Sequence, residues 1–236
     1  MAPCIGVAIA LNLIEASGLT VVGRAVSLSG RALGMKVALI GATGRVGSRL
    51  AAELLARGHA VTGIALHAPR DERSGLNFVE ADATKPGSLA PCLVGHDAVI
   101  SASRFATSDA DALITAVKTA GVKRLLVVGG AGSLEVTPGR LLMDTDGFPV
   151  AFKIEAKAGA RFLERLRAEA DLDWTFLSPS ADFAPGERTG HFRLGGDQLL
   201  RDAQGKSHVS MEDFAIAMVD EVESDAHGRR RFTVGY

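Results

Sequence analysis

Three glycines spaced three residues apart carry the clearest chemical signal in the sequence. They follow the apolar run Lys36–Ile40, which suits a buried strand, and they precede a stretch of helix-forming residues. Gly41 permits a tight turn, Gly44 a close approach of the backbone to a bound group, and Gly47 close packing of the helix. The first helical turn offers N–H groups and a positive dipole end to a pyrophosphate, so we predict nucleotide binding, with an ordinary strand–turn–helix corner as the alternative. The binding positions predicted in this segment are Gly41, Thr43, Gly44, Arg45, Val46 and Gly47.

The end of the second predicted strand bears on the choice of dinucleotide. An acidic residue about 20 positions beyond the glycines binds a ribose 2′-hydroxyl, whereas an arginine accommodates a 2′-phosphate. The end of this strand, from Ile64 to His67, contains no carboxylate, and Arg45, Arg70 and Arg73 lie near in sequence, with two acidic residues interleaved. We therefore predict NADP, with NAD as the alternative cofactor, and place His67 and Arg70 among the cofactor-binding residues. The alternative for Arg45 is a solvated residue of the first helical turn.

Two later strand ends complete the predicted cleft. Asp82 and Ala83 follow the third strand, where the carboxylate could accept a hydrogen bond from the adenine amino group. The alternative for Asp82 is a turn residue that caps the next segment. Ser101, Ala102 and Ser103 follow the fourth strand, and their small side chains would let ribose and phosphates approach the backbone. A small-residue turn required only by packing is the competing explanation.

Composition limits the classes of partner. The chain of 236 residues carries a net charge of −1 at pH 7, which gives no electrostatic footprint for nucleic acid or an acidic membrane. Two cysteines, Cys4 and Cys92, make no disulfide framework, and no Cys/His cluster has zinc-ligand spacing. We expect a cytoplasmic protein, monomeric or homodimeric, that binds a small-molecule acceptor and no metal.

Residues 1–34 differ from the rest of the chain. The apolar run Ile5–Ile14 is too short to span a bilayer and lacks the basic start of a secretory signal. Arg24 and Arg31 resemble a transit peptide, but Glu15 counts against that interpretation. We predict that residues 1–34 are an extension outside the domain and that residues 35–236 form one nucleotide-binding domain.

From Met35 onward, short apolar runs alternate with helical stretches, which predicts an α/β fold with a doubly wound parallel sheet. The predicted strands are Lys36–Ile40, Ala60–Leu66, Asn77–Glu80, Ala98–Ala102, Arg124–Gly129, Trp174–Leu177 and Arg231–Val234. The predicted helices are Arg45–Arg57, Pro86–Leu93, Ala110–Ala120, Phe152–Ala170 and Glu212–Val222. In such a sheet, ligands bind at the carboxyl ends of the strands, around the topological switch point.

After Leu177 the sequence becomes rich in proline and glycine. We predict that residues 178–236 form a small substrate-covering segment, with loops and a hairpin over the cleft. The alternative is an edge hairpin that covers the sheet.

Four segments of the chain resemble the atypical short-chain dehydrogenase/reductases. They are Gly41–Gly47, Asp97–Ala102, Arg124–Leu134 and Trp174–Pro179, and the resemblance extends in order from Met35 to Tyr236. The most similar branch contains NAD(P)H-binding proteins of the NADH-flavin reductase, biliverdin-IXβ reductase-like and NmrA-like types. The resemblance implies a Rossmann-type fold and NAD(P)H-dependent hydride transfer to a flavin, quinone or similar planar acceptor. An NmrA-like dinucleotide sensor without turnover is the alternative.

The catalytic pair of many short-chain dehydrogenases is missing. Those enzymes use Tyr-x-x-x-Lys, but the single tyrosine here is Tyr236, and Pro149 stands four residues before Lys153. An epimerase or dehydratase is therefore disfavoured, whereas hydride transfer to a flavin or quinone needs little acid catalysis. The resemblance points to Ser133 as a residue that polarises an acceptor or binds nicotinamide, and to Lys153 as a ribose ligand. The alternatives are a strand-end serine and a surface lysine.

Overall fold

The computed structural model describes residues 34–67 and 76–236. The predicted extension therefore lies outside the described residues except for Gly34, and its separation from the domain stays a prediction. The strands are β1 (Lys36–Ile40), β2 (Ala60–Ala65), β3 (Leu76–Glu80), β4 (Ala98–Ser101), β5 (Arg124–Val128), β6 (Glu135–Thr137), β7 (Arg140–Leu141), β8 (Asp173–Pro179), β9 (Asp182–Ala184), β10 (Arg193–Gly195), β11 (His208–Ser210) and β12 (Arg230–Gly235). The helices are α1 (Gly47–Ala56), α2 (Pro86–Leu93), α3 (Ala110–Thr119), α4 (Lys153–Arg167) and α5 (Met211–Ser224).

Eight strands form one central sheet in the order β10-β12-β8-β5-β4-β1-β2-β3. Seven of them run parallel, and only the edge strand β10 pairs antiparallel, with β12. From β1 the chain moves outward to β2 and β3, and it then returns to β4 on the other side of β1. The topological switch point therefore lies between β1 and β4, and the predicted doubly wound, Rossmann-type sheet is confirmed.

Apolar side chains alternate between the two faces of the sheet. Along β1, Val37 and Leu39 belong to the core cluster that includes α1 and α5. Ala38 and Ile40 belong to the cluster that includes α2, α3 and α4. Because β1 is buried on both faces, it reads as an unbroken apolar run, and it holds the following turn in a fixed position.

The segment after Leu177 differs from the predicted hairpin. Strand β9 pairs in parallel with β11 in a separate two-stranded sheet, whereas β10 joins the edge of the central sheet beside β12. Strands β9 and β10 therefore do not form a hairpin with each other, because the later strands β11 and β12 supply pairing edges for them. Within residues 34–67 and 76–236, no helix combines the length and apolarity that crossing a membrane requires.

Candidate functional site

The glycine turn brings the carboxyl end of β1 against the carboxyl end of β4. Gly41 has a φ of +80°, and a Cβ atom there would stand 2.9 Å from the carbonyl oxygen of Ala102. The Gly44 N–H donates to the Gly41 carbonyl oxygen at 2.9 Å, which closes the turn. Gly47 begins α1 immediately above the same carbonyl, where a side chain has no room. The glycines therefore bring the turn, β4 and α1 closer together than other residues would allow.

The start of α1 leaves backbone donors without a protein acceptor. Within the described part of the chain, no residue accepts a hydrogen bond from the N–H groups of Arg45, Val46 or Gly47. Val46 supplies no capping side chain, and the first turn of α1 contains no acidic residue. Thr43, Gly44 and Arg45 are exposed, and Val46 is partly exposed, so this turn is open to a ligand. Free N–H groups at the positive end of a helix dipole fit a pyrophosphate.

Of the residues predicted to select between NADP and NAD, only some lie in the described part of the chain. β2 ends at Ala65, and His67 follows it, exposed, while Arg70 lies outside the described residues. Arg45 is exposed in the turn before α1. The register between β2 and β3 pairs Ala65 with Glu80, which brings a carboxylate to this strand end from the neighbouring strand.

The carboxylate of Asp82 takes part in a local turn. Its Oδ1 accepts hydrogen bonds from the Thr84 N–H at 3.0 Å and the Thr84 hydroxyl at 2.6 Å, and its Oδ2 lies 3.0 Å from Lys85 Nζ. These bonds, first that from the Thr84 hydroxyl and next that from Lys85, lower the pKa of Asp82 to about 2. Asp82 therefore acts as a turn residue, which is the alternative role named in the sequence analysis. Adenine binding by Asp82 and the adjacent Ala83 stays a prediction.

The residues that follow β4 lie beside the glycine turn. Ser101 is the buried last residue of β4, and the Ala102 N–H donates to the Ile40 carbonyl oxygen at 2.9 Å. Ala102 and Ser103 are partly exposed. The structure thus brings Gly41 and these three predicted positions together at the switch point.

A cavity of about 730 Å³ lies farther along the same edge of the sheet, at the carboxyl ends of β5 and β8. Glycines follow β5 here, and the C-terminal segment supplies part of the opposite wall. The apolar walls include Phe105, Leu142, Phe148, Phe152, Phe183 and Leu199. None of the residues from Gly41 to Gly47 lines this cavity, which is separated from the glycine turn by the width of β4.

Ser133 lines the cavity, and its predicted role toward an acceptor or the nicotinamide stays a prediction. Its Oγ accepts a hydrogen bond from Arg231 Nη1 at 3.0 Å, and its carbonyl oxygen accepts one from the same nitrogen at 2.8 Å. Arg231 of β12 is buried and is held in turn by Asp197, whose Oδ1 accepts from Arg231 Nε at 2.6 Å. Sequence reasoning missed Arg231, although a charged residue beside the apolar run of a predicted strand was a usable signal.

Helix α4 presents one face to the cavity, and Lys153 is not on it. Phe152, just before the helix, and Glu155, Ala156 and Gly159 line the cavity with the spacing of one helical face. Lys153 is exposed and lies outside this lining, so its role as a ribose ligand stays a prediction. The Glu155 carboxylate accepts hydrogen bonds from the N–H groups of the turn that begins at Phe105, at 2.6 and 3.0 Å.

Comparison with known proteins agrees with this geometry. The sequence profile of a family described as NAD(P)H-binding matches residues 41–225. This chain belongs to that NAD(P)H-binding family. The match runs from the first glycine of the turn to the end of α5, so it includes the free donors of α1 and the strand ends that border the cavity.

Solved structures of similar chains share the fold of this NAD(P)H-binding protein. A Bacteroides thetaiotaomicron chain named a "putative epimerase" is 43% identical, with a TM-score of 0.81, and the match covers 86% of this chain and 97% of that one. A Streptococcus pneumoniae chain named a "putative NADH-flavin reductase" is 36% identical, with a TM-score of 0.73, and the match covers 86% and 99%.

A third structure bears on the compartment. A Burkholderia pseudomallei chain named a "putative exported protein" is 46% identical, with a TM-score of 0.78, and the match covers 86% of this chain and 100% of that one. The cytoplasmic location expected above therefore stays a prediction.

The single tyrosine of this NAD(P)H-binding chain is engaged away from the cavity. The Tyr236 hydroxyl donates to Asp213 Oδ2 at 2.8 Å and accepts from the Ser210 N–H at 3.2 Å. Neither Tyr236 nor Asp213 lines the cavity. The site therefore has no phenol for proton transfer to a bound alcohol or ketone, as the absent Tyr-x-x-x-Lys pair predicts.

Proposed function

We propose that this chain is an NAD(P)H-dependent oxidoreductase that transfers hydride to a flavin, quinone or similar planar acceptor. The observation that carries the proposal is the cavity at the carboxyl ends of β5 and β8, on the same edge of the sheet as the free donors of α1. In doubly wound sheets, a dinucleotide lies across this edge at the switch point. One ligand can therefore bind the glycine turn at one end and reach the cavity at the other.

The chain's own groups set the orientation of the dinucleotide in this proposal. The N–H groups of Arg45, Val46 and Gly47 hold the pyrophosphate, and the small residues Ala102 and Ser103 leave room beside it. The end of β2 would then border the adenosine half, and the glycines that follow β5 would border the nicotinamide half. A reduced nicotinamide supplies the hydride, and the protein contributes position and exclusion of water.

The character of the cavity favours a planar, mostly apolar acceptor. Its volume of about 730 Å³ falls within the range of roughly 300–1,000 Å³ that is typical of small-molecule pockets. Phe105, Phe148, Phe152 and Phe183 supply aromatic surface, which packs well against flat ring systems. Ser133 offers a hydroxyl beside these walls, where it can orient a carbonyl group of the acceptor.

Two other functions compete with the reductase. An epimerase, as the name of the Bacteroides neighbour indicates for that protein, needs a base that removes a proton from an alcohol or a sugar carbon. The tyrosine that performs this task in many short-chain dehydrogenases has no counterpart at this cavity. A dinucleotide sensor needs only the phosphate cradle, so binding alone does not separate it from a reductase.

Turnover separates the candidates. The purified protein should oxidise NADPH steadily when menadione or FMN is added, as followed by the absorbance of NADPH. A Gly44→Val variant is the matched control, because it keeps the cavity walls and blocks the pyrophosphate. NADPH binding without oxidation in the presence of either acceptor would refute the reductase and support the sensor.

A further inference from the structure

A buried arginine contacts Ser133 but does not itself line the cavity. The side chain of Arg231 is 4% exposed, and its Nη1 donates both to Ser133 Oγ at 3.0 Å and to the Ser133 carbonyl oxygen at 2.8 Å. Two bonds from one nitrogen to one residue fix the backbone and the hydroxyl of Ser133 together. Bonds from a cation are stronger than neutral ones, so the position of this serine is closely defined.

A carboxylate accompanies the buried guanidinium of Arg231. Burial lowers the pKa of Arg231, while the hydrogen bonds and charge of Asp197 act in the opposite direction. An arginine side chain does not lose its proton in proteins, so a full positive charge remains beside Ser133. Asp197 is 52% exposed and also pairs with Arg167 at 3.3 Å, which leaves a large part of its own charge screened by water.

Ser133 differs from the other hydroxyl side chains that line the cavity. Thr145 donates to the Leu142 carbonyl oxygen at 2.7 Å, and Ser180 donates to the Val234 carbonyl oxygen at 3.0 Å. Ser207 is buried and accepts from the Ala181 N–H at 3.1 Å. Ser133 alone among these four described residues accepts a bond from a cation, and its hydroxyl, like that of Ser207, donates to no described residue.

We propose that Arg231 is a positioning residue that acts through Ser133. By occupying a lone pair of Ser133 Oγ, the guanidinium turns the hydroxyl proton toward the cavity, where it donates to a carbonyl oxygen of the acceptor. This inference rests on the proposed reductase function and narrows the acceptor to compounds with a conjugated carbonyl, such as quinones. The charge of Arg231 also makes the Ser133 hydroxyl a stronger donor.

The hydroxyl acts where negative charge develops. When an acceptor takes a hydride with its electron pair, the reduced nicotinamide is oxidised, and the acceptor's conjugated oxygen gains negative charge. Ser133 stabilises that oxygen with its hydrogen bond, and a proton from water then completes the reduction. Because the bond strengthens as the charge develops, Arg231 and Ser133 should affect kcat more than the KM for the acceptor.

A double-mutant cycle tests whether Arg231 acts through Ser133. We expect Ser133→Ala to lower kcat with menadione on the order of a hundredfold, as for loss of one donor to a developing oxyanion. Arg231→Met should lower kcat by about tenfold, and in the Ser133→Ala background it should have no further effect. Arg167→Met is the matched control, because it removes the other guanidinium from Asp197 without touching Ser133. Equal losses from Arg231→Met with and without Ser133 would overturn the proposal.

A second variant covers the case in which Arg231→Met does not fold. Asp197→Asn keeps the guanidinium in place but weakens its anchor. It should lower kcat in the unmodified background and leave kcat unchanged in Ser133→Ala. A loss of the same size in both backgrounds would show that the cluster has only a structural role.

An infrared measurement makes the test independent of turnover. The carbonyl stretch of a labelled naphthoquinone, bound to the protein with NADP⁺, should lie at lower frequency in the unmodified protein than in Ser133→Ala and Arg231→Met alike. A frequency that rises only in Ser133→Ala would overturn the role of Arg231. If the unmodified protein shows no NADPH oxidation, the reductase function fails, and the infrared shift still decides the inference. A protein that binds no quinone with NADP⁺ present would overturn the inference, whereas NADPH oxidation with FMN would still support the reductase function.

Discussion

The carbonyl oxygen of Gly41 lies 2.0 Å from the position that a Cβ atom on Gly47 would occupy. Any side chain at Gly47 would therefore push α1 away from the turn that follows β1. At Gly44, by contrast, a Cβ atom would meet only the Gly41 carbonyl oxygen, at 3.2 Å. Gly47 therefore allows α1 to pack closely against the turn, whereas Gly44 leaves open the space that a bound phosphate needs.

We expect Gly44→Val to abolish NADPH binding while most of the fold survives, because the branched side chain would occupy the approach of the pyrophosphate. Isothermal titration calorimetry of the folded variant measures the loss. Gly87→Ala in α2 is the control, since a Cβ atom there meets no other residue within 4 Å. Unchanged NADPH affinity in a folded Gly44→Val protein would refute the phosphate cradle at this turn.

The sequence predicts those parts of the site that consist of residues close together in the chain. The β1–turn–α1 unit depends on a buried strand, a positive φ at Gly41 and close packing at Gly47, and each of these has a local signature. The contact between Ser133 and Arg231 joins residues 98 positions apart, so no local pattern specifies it. The same holds for Glu80, because only the register between β2 and β3 brings it beside the end of β2.

Helical phase explains why Lys153 lies outside the lining of the cavity, while its role as a ribose ligand stays a prediction. The position of Lys153 in the chain matches that of the family's lysine, but only residues on one face of a helix contact the same surface. Phe152 and Ala156 hold the positions that face the cavity, and Lys153 is exposed. The predicted hairpin after Leu177 fails for a related reason, since the pairing of β9 and β10 is decided by strands that come later in the chain.

The unmodified protein should bind NADPH more tightly than NADH, by about tenfold, which corresponds to ~1.4 kcal/mol. Arg45 is exposed beside the free donors of α1, and Arg70 is the second cation predicted near the 2′-phosphate. The double change Arg45→Ala with Arg70→Ala should weaken NADPH and spare NADH, as measured by calorimetry. Arg140→Ala in β7 is the control. High salt should reduce the preference, because exposed charges are screened.

Equal affinities for NADPH and NADH in the unmodified protein would remove the basis for predicting NADP. The phosphate cradle at the glycine turn would be unaffected by that outcome.

A protein that starts at Met35 should fold, bind NADPH and melt at nearly the same temperature as the full chain. The reason is that the alternating pattern of strands and helices begins at β1. Differential scanning calorimetry of both proteins, with NADPH titrations, measures the difference. A loss of ~1 kcal/mol shifts the midpoint of a chain this size by roughly 2–4 °C, so a drop of several degrees would place residues 1–34 in contact with the core.

Asp213 ties the end of the chain to α5 and to the loop before β10. Its Oδ1 accepts from the Gly190 N–H at 2.9 Å, and its Oδ2 accepts from the hydroxyls of Thr189 and Tyr236. Burial alone would raise the pKa of Asp213, but the hydrogen bonds, first that from Thr189, outweigh it and hold the pKa below the ordinary value. A carboxylate with a depressed pKa stabilises the fold above its unfolded-state pKa, and this stability is lost as the pH falls through the folded-state pKa.

Asp213→Asn should therefore destabilise the protein at neutral pH, and the loss of stability should be smaller at acid pH. Loss of hydrogen bonds to a buried charged group costs roughly 2 kcal/mol, which lowers the melting midpoint by about 4–8 °C in a chain of this length. Asp220→Asn on the same helix is the control, because Asp220 is half exposed and exposed ion pairs contribute little. Melting curves from pH 7 down to about pH 3, below the ordinary pKa of an aspartate, should show the gap between Asp213→Asn and the unmodified protein closing. A gap that stays constant over this range would mean that the charge of Asp213 does not stabilise the fold.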